Sequence, residues 1–100
     1  MTKLQRTYNR FNRLYFGGKL PSDIDIRWHR YTKESKICGE SDSEVIWVNE
    51  AHKAWPKVWQ ITLLHEMAHV ATVNERAHHG VKWVKEMRRL MREGAFDGLL

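Results

Sequence analysis

At 100 residues the chain has room for one core, so a single domain over 1–100 is expected and two independently folded units are not. Hydrophobic residues make up 42% and charged residues 29%, a globular rather than disordered balance, and five tryptophans add bulk to a modest core. A formal net charge of +5 and an isoelectric point near 9.6 favour polyanionic partners without naming one.

The lone cysteine, Cys38, excludes an internal disulfide and reads as a small buried strand residue. Residues 1–11 lack the apolar stretch of a secretory signal, and no run reaches membrane-spanning length, so a cytoplasmic location is expected.

In chain order, Leu4, Tyr8, Phe11 and Tyr15 recur at spacings of four, three and four, which predicts an amphipathic helix from Thr2 to Phe16. Gly17, Gly18 and then Pro21 end it. Ile24, Ile26 and Trp28 alternate with polar neighbours, and Val45 to Val48 is a β-branched and aromatic run. Strands are expected at about 24–30, 35–40 and 44–49, with turns near Thr32 to Glu34 and Glu40 to Ser43. A second helix opens at Trp55 or Pro56 and runs to about Val73, apolar round most of its girth and therefore buried. A third, from Val81 to Arg92, sets Val81, Val84, Met87 and Met91 on one side, with Trp83 and Leu90 beside them.

Within the buried helix stands His65-Glu66-Met67-Ala68-His69, the H-E-x-x-H pattern. Residues four apart on a helix return to within about 40° of one another, so both imidazoles project from one face and can grip one Zn²⁺. Glu66 points about 100° away, too far round to be a good ligand but placed to meet water on the metal. Such a water loses its proton near neutral pH, and Glu66 is the candidate general base and acid for attack on a carbonyl carbon. A catalytic zinc normally takes three protein ligands, and His78 and His79 are the downstream candidates. His79 is favoured because Gly80 after it permits a sharp turn into the third helix. Unpaired polar groups on a buried helix would cost roughly 1–3 kcal/mol each, which a shared metal relieves together.

These residues resemble the SprT-like metalloprotease family. The likeness runs through Tyr8-Asn9-Arg10-Phe11-Asn12, Phe16-Gly17-Gly18-Lys19-Leu20-Pro21, Ile26-Arg27-Trp28, Leu64 to His69, and His79-Gly80 with Trp83 after it. The resemblance implies His65, His69 and His79 as zinc ligands, Glu66 as the catalytic acid/base, and a helix and small sheet packed on the active-site helices. Two departures stand out: a short interval between the second and third histidines, and a single cysteine, too few for the C-terminal zinc ribbon common in the family. The expected fold is α+β and zincin-like, with an N-terminal helix, a three-stranded sheet, the H-E-x-x-H helix and a C-terminal helix. Substrate in extended form is expected to pair with an edge strand at Val45 to Val48. A donor to the transition state is expected from among Tyr15, Tyr31, Arg76 and His78.

The Spartan branch of the family cleaves proteins crosslinked to DNA, so a protein or peptide substrate near nucleic acid is implied. Lys3, Arg6, Arg10 and Arg13 share one helical face, as do Lys82, Lys85, Arg89 and Arg92, and both stripes suit nonspecific phosphate contact. Glu86 and Glu93 dilute the second stripe. The alternative is a zinc-containing DNA-binding or adaptor module without turnover. Core packing is the expected role of most tryptophans, Trp83 excepted as a possible wall of the metal pocket. His29 and His52 are expected at the surface or in structural roles.

Overall fold

The computed structural model describes residues 1–74 and 79–100. Helix α1, Lys3–Tyr15, begins where the Thr2 side chain accepts the Gln5 N–H at 3.1 Å, a standard satisfaction of an orphan donor. It ends where Phe16 and Gly18 both donate to the Asn12 carbonyl, with Gly17 and Gly18 at φ of 60° and 71°, a conformation open to glycine. Leu4, Tyr8 and Phe11 form its buried face, as the periodicity predicted, while Tyr15 is only partly covered.

Strands β1 (Asp25–His29), β2 (Gly39–Ser41) and β3 (Val45–Asn49) form one sheet in the order β1-β3-β2. β1 runs parallel to β3, with Ile26 opposite Ile46 and Trp28 opposite Val48; β2 runs antiparallel to β3. Val45 to Val48 is thus the centre of the sheet, which corrects the expectation that it forms an edge. Its alternation explains this: Ile46 and Val48 are completely buried, and a strand with that payload is best covered on both sides.

β2 is shorter and later than the predicted strand over 35–40. Residues before it leave the ladder, although Cys38 still accepts the Asn49 N–H at 2.8 Å and Ile37 accepts the Asn49 side-chain amide at 2.8 Å. Cys38 is exposed, which corrects its reading as a buried strand residue; it stands outside β2, where alternation no longer directs side chains inward. The β2–β3 turn is tied by the Asp42 carboxylate, which accepts the Glu44 and Val45 N–H groups.

Helix α2, Pro56–Ala71, carries proline in its first turn and lies against the sheet, α1 and α3. Trp59, Leu63, Leu64, Met67 and Ala68 are at most 1% exposed, so this helix is the interior element its composition predicted. Trp59 meets Trp28 edge to face at 5.7 Å, joining helix and sheet. Trp55 does not share that role and is exposed.

Helix α3, Val81–Arg92, packs through a different stripe from the one predicted. Leu90 is fully buried and Trp83 and Met87 lean on the core, whereas Val81 and Met91 face solvent. Two apolar stripes overlap on this helix, and tertiary contacts choose the one through Trp83. The α+β composition is as expected, with three α-helices and a three-stranded sheet among the described residues.

Candidate metal centre

Because His65 and His69 are four apart on α2, their rings emerge from the same side of the helix, and their Nε2 atoms stand 3.3 Å apart. His79, just before α3, brings its Nε2 to 3.2 Å from that of His65. Each of the three offers one ring nitrogen such that all lie within 4.8 Å of one another. Two nitrogens at about 2.05 Å from a tetrahedral ion stand about 3.3 Å apart, so the observed separations fit one Zn²⁺-sized cation. Three convergent imidazoles are also a donor set that suits zinc chemically.

The turn that delivers His79 differs from the expected one. His79 itself has φ of 56°, whereas Gly80 is extended at φ −74° and ψ −171° and caps α3. A non-glycine residue in the left-handed region carries about 1–2 kcal/mol of local strain, the kind of cost that functional sites hold. The third-ligand alternative, His78, lies outside the described residues, as does Arg76.

Trp83, in the first turn of α3, packs against all three imidazoles, its ring centroid 4.9 Å from His65, 5.2 Å from His69 and 4.1 Å from His79. Its indole Nε1 donates to the His65 carbonyl at 3.4 Å. The expected pocket wall is therefore present, and it ties α3 to α2 at the histidines.

Glu66 is 5% exposed, and both its oxygens have distinct surroundings. Oε1 accepts the Ser41 hydroxyl at 2.8 Å, while Oε2 lies 3.9 Å from His65 Nε2. Burial raises the carboxyl above its ordinary range; the Ser41 hydrogen bond opposes that rise, and the nearby Glu40 carboxylate adds to it. The histidines and Glu66 line a cleft of about 530 Å³, bordered by Gly39 to Asp42 of the β2 edge, by Ile37, and by Val70, Thr72, Val73 and Trp83. Ile37 and Val73 are apolar yet exposed beside this opening.

The other expected participants lie in different places. Tyr15 lines a separate groove, and its carbonyl accepts Arg89 Nη1 at 2.6 Å, which ties the end of α1 to α3. Tyr31 is half-buried beside the cleft residues: its hydroxyl is pushed up to about 12 by burial, then by Glu40, with Glu66 adding. His29 is exposed beside Tyr31, and His52 belongs to a short 3₁₀ turn, Glu50–His52. Neither joins the triad.

Lys3, Arg6, Arg10 and Arg13 of the first basic stripe are all exposed, and in the second Arg89 alone is half-buried. Arg89 is bound by Glu86 and Glu93 and lies over the Phe16 ring at 5.2 Å, so it joins α3 to the end of α1 rather than facing outward alone. Arg6 donates to the Met1 carbonyl, and Arg10 lies over Phe11. Lys3, Arg13, Lys82, Lys85 and Arg92 are exposed, and Arg13, Lys82 and Lys85 line the separate groove together with Lys19.

Ser41 and Gly39 had no part in the sequence reading. Ser41 is a single serine near a turn, and only the pairing of β2 beside α2 sets it against Glu66, so no local pattern marks it. Gly39 carries a sharper signal in hindsight: glycine within a strand often marks a close backbone approach.

Among the described residues, no helix is long and apolar enough to cross a membrane. No curated protein matches the chain. The model of the SprT-like family matches residues 4–97, a span that runs from the first turn of α1 past the end of α3 and includes the three histidines and Glu66, and the chain belongs to that family.

Proposed function

We propose that the protein is a zinc-dependent endopeptidase of zincin-like architecture, with His65, His69 and His79 holding one catalytic ion and Glu66 moving the proton. The observation that carries this reading is the placement of Glu66 Oε2, buried and 3.9 Å from His65 Nε2, at the margin of a three-imidazole cluster open to a cleft. When bound, zinc supplies Lewis acidity, lowering the pKa of water and polarising a carbonyl.

The protein's own groups do the rest. Glu66 takes a proton from water as its oxygen adds to the peptide carbonyl carbon, then returns that proton to the departing amine nitrogen. Trp83 stiffens the histidine cluster and closes one side of it to solvent. The outer edge of β2 pairs with no strand among the described residues and borders the cleft, so a substrate segment adds there by main-chain hydrogen bonding. Selection by side chain is then weak, with Ile37 and Val73 offering apolar contact.

The decisive experiment uses zinc-loaded protein and an unfolded protein substrate such as casein. Glu66→Gln should retain zinc and fold while cleavage falls by about 10²–10⁴-fold. Zinc-loaded wild-type protein without cleavage would favour the non-catalytic module, and cleavage of small amides alone would move the substrate class away from proteins.

A nucleic-acid partner is the second element of the proposal, supported by the exposed Arg13, Lys19, Lys82 and Lys85 around a groove of about 870 Å³. Binding to single-stranded DNA should weaken as salt rises, with a slope of roughly −0.7 per neutralised phosphate. Salt-independent binding, or none, would remove DNA from the reading.

A further inference from the structure

Resting on the hydrolase reading, the structure assigns Ser41 as the positioning residue for Glu66. The two carboxylate oxygens are divided between two tasks. Ser41 Oγ donates to Oε1 at 2.8 Å, leaving Oε2, the oxygen nearer His65, to receive the proton. A glutamate side chain has three rotatable bonds, and without a partner at one oxygen its carboxylate swings between rotamers. A hydrogen bond to Oε1 selects one orientation before substrate arrives, which is the preorganisation that proton transfer requires.

The strand geometry explains why a serine can reach. Ser41 is the last residue of β2, paired opposite Ile46, and β2 lies directly on α2. At Gly39 an added Cβ would stand 2.7 Å from Thr62 Cγ2, 2.8 Å from the Trp47 carbonyl oxygen and 3.5 Å from Glu66 Cγ. Glycine therefore lets the edge strand approach α2 across Thr62, one helical turn before Glu66, and Ser41 two residues later meets the carboxylate. The strand that borders the cleft also holds the proton carrier, so its main chain serves substrate and its serine serves Glu66.

In the reaction Ser41 keeps its own proton throughout. Glu66 Oε2 takes a proton from water as the water oxygen bonds to the carbonyl carbon; the carbon–nitrogen bond then breaks and the proton passes to the amine nitrogen. Ser41 only holds Oε1 while charge on the carboxylate falls and returns. Loss of this hold should appear in kcat rather than KM, because the β2 main chain remains intact.

The test compares wild type with Ser41→Ala, Ser41→Thr and Glu66→Gln, each checked for zinc content and melting temperature. Ser41→Ala should lower kcat about 10- to 100-fold with KM within twofold, by analogy with groups that orient a metal site from behind its ligands. Ser41→Thr, which retains the hydroxyl, should recover most of that loss. An activity-independent measurement is the crystal structure of metal-free protein: one Glu66 rotamer in wild type and Ser41→Thr, a rotated or divided carboxylate in Ser41→Ala. An unchanged Glu66 rotamer in Ser41→Ala overturns the assignment, as does an unchanged kcat in a folded, zinc-loaded variant. If wild type cleaves nothing, the peptidase reading fails, and the Glu66 rotamer alone then decides for or against Ser41.

Discussion

His79 Nε2 stands 3.2 Å from His65 Nε2 although 14 residues separate them along the chain. A helix can align His65 with His69, but only the reversal between α2 and α3 brings the third nitrogen home. His79→Ala should therefore leave α2 folded and weaken zinc binding by at least about 100-fold, more than the loss of an outer partner costs. Competition against a zinc chelator measures this, and near-wild-type affinity would remove His79 from the ligand set.

Zinc should also stabilise the fold, because the three ligands converge only in the native chain. At zinc concentrations 100 times the dissociation constant the gain is about 2.7 kcal/mol, and stripping the metal should lower the melting temperature accordingly. Thermal scans of loaded and stripped protein test it; identical curves would show that no ion is held.

Tyr8 is fully buried, donates its hydroxyl to the Pro21 carbonyl at 2.6 Å, and is pushed up from 10.0 to about 12 by burial and then by Asp23. A raised folded value means the native state favours the protonated phenol. The stability this contributes is fully present below pH 10 and is lost as pH rises through 12. Urea midpoints should fall between pH 9 and pH 11.5, and Tyr8→Phe should show a smaller fall from a lower starting point. An equal pH dependence in Tyr8→Phe would assign the effect elsewhere.

Asn12 joins the end of α1 to the following loop through both side-chain atoms, donating to the Leu20 carbonyl and accepting the Leu20 N–H, each at 3.1 Å. Asn12→Ala strands both buried main-chain groups and should cost about 1–3 kcal/mol in chemical denaturation. Zinc affinity should not change, since the histidines sit on other elements.

Gly39→Ala should destabilise by about 1–3 kcal/mol, because the new methyl meets the Trp47 main chain and the Thr62 methyl where β2 packs on α2. It should also reduce cleavage by displacing β2 from α2. A variant as stable as wild type would mean the strand can slide without cost.

Much of the site was legible because its pattern is local. His65, Glu66 and His69 share one helix, and the helical repeat alone relates their directions. His79 was separable from His78 only through an argument about Gly80, and the structure places the left-handed turn at His79 instead. The sheet order was not legible, since three short strands of similar composition permit several orders, and burial of Ile46 and Val48 selects β3 as the centre. The α3 stripe was misjudged for a related reason: two apolar faces overlap, and contact of Trp83 with the histidines together with the Arg89 link to Tyr15 rotates the helix onto one of them.

By itself, the sequence determined the helices, the caps that end α1, the burial of α2 and the facing pair of imidazoles on it, because each depends on angles set within a few neighbouring residues. Tertiary structure alone decided the third imidazole's approach, the central place of β3 and the Ser41 contact with Glu66. Those depend on how separate elements dock, and docking is settled by burial and close packing summed over the whole chain, which no short stretch of residues records.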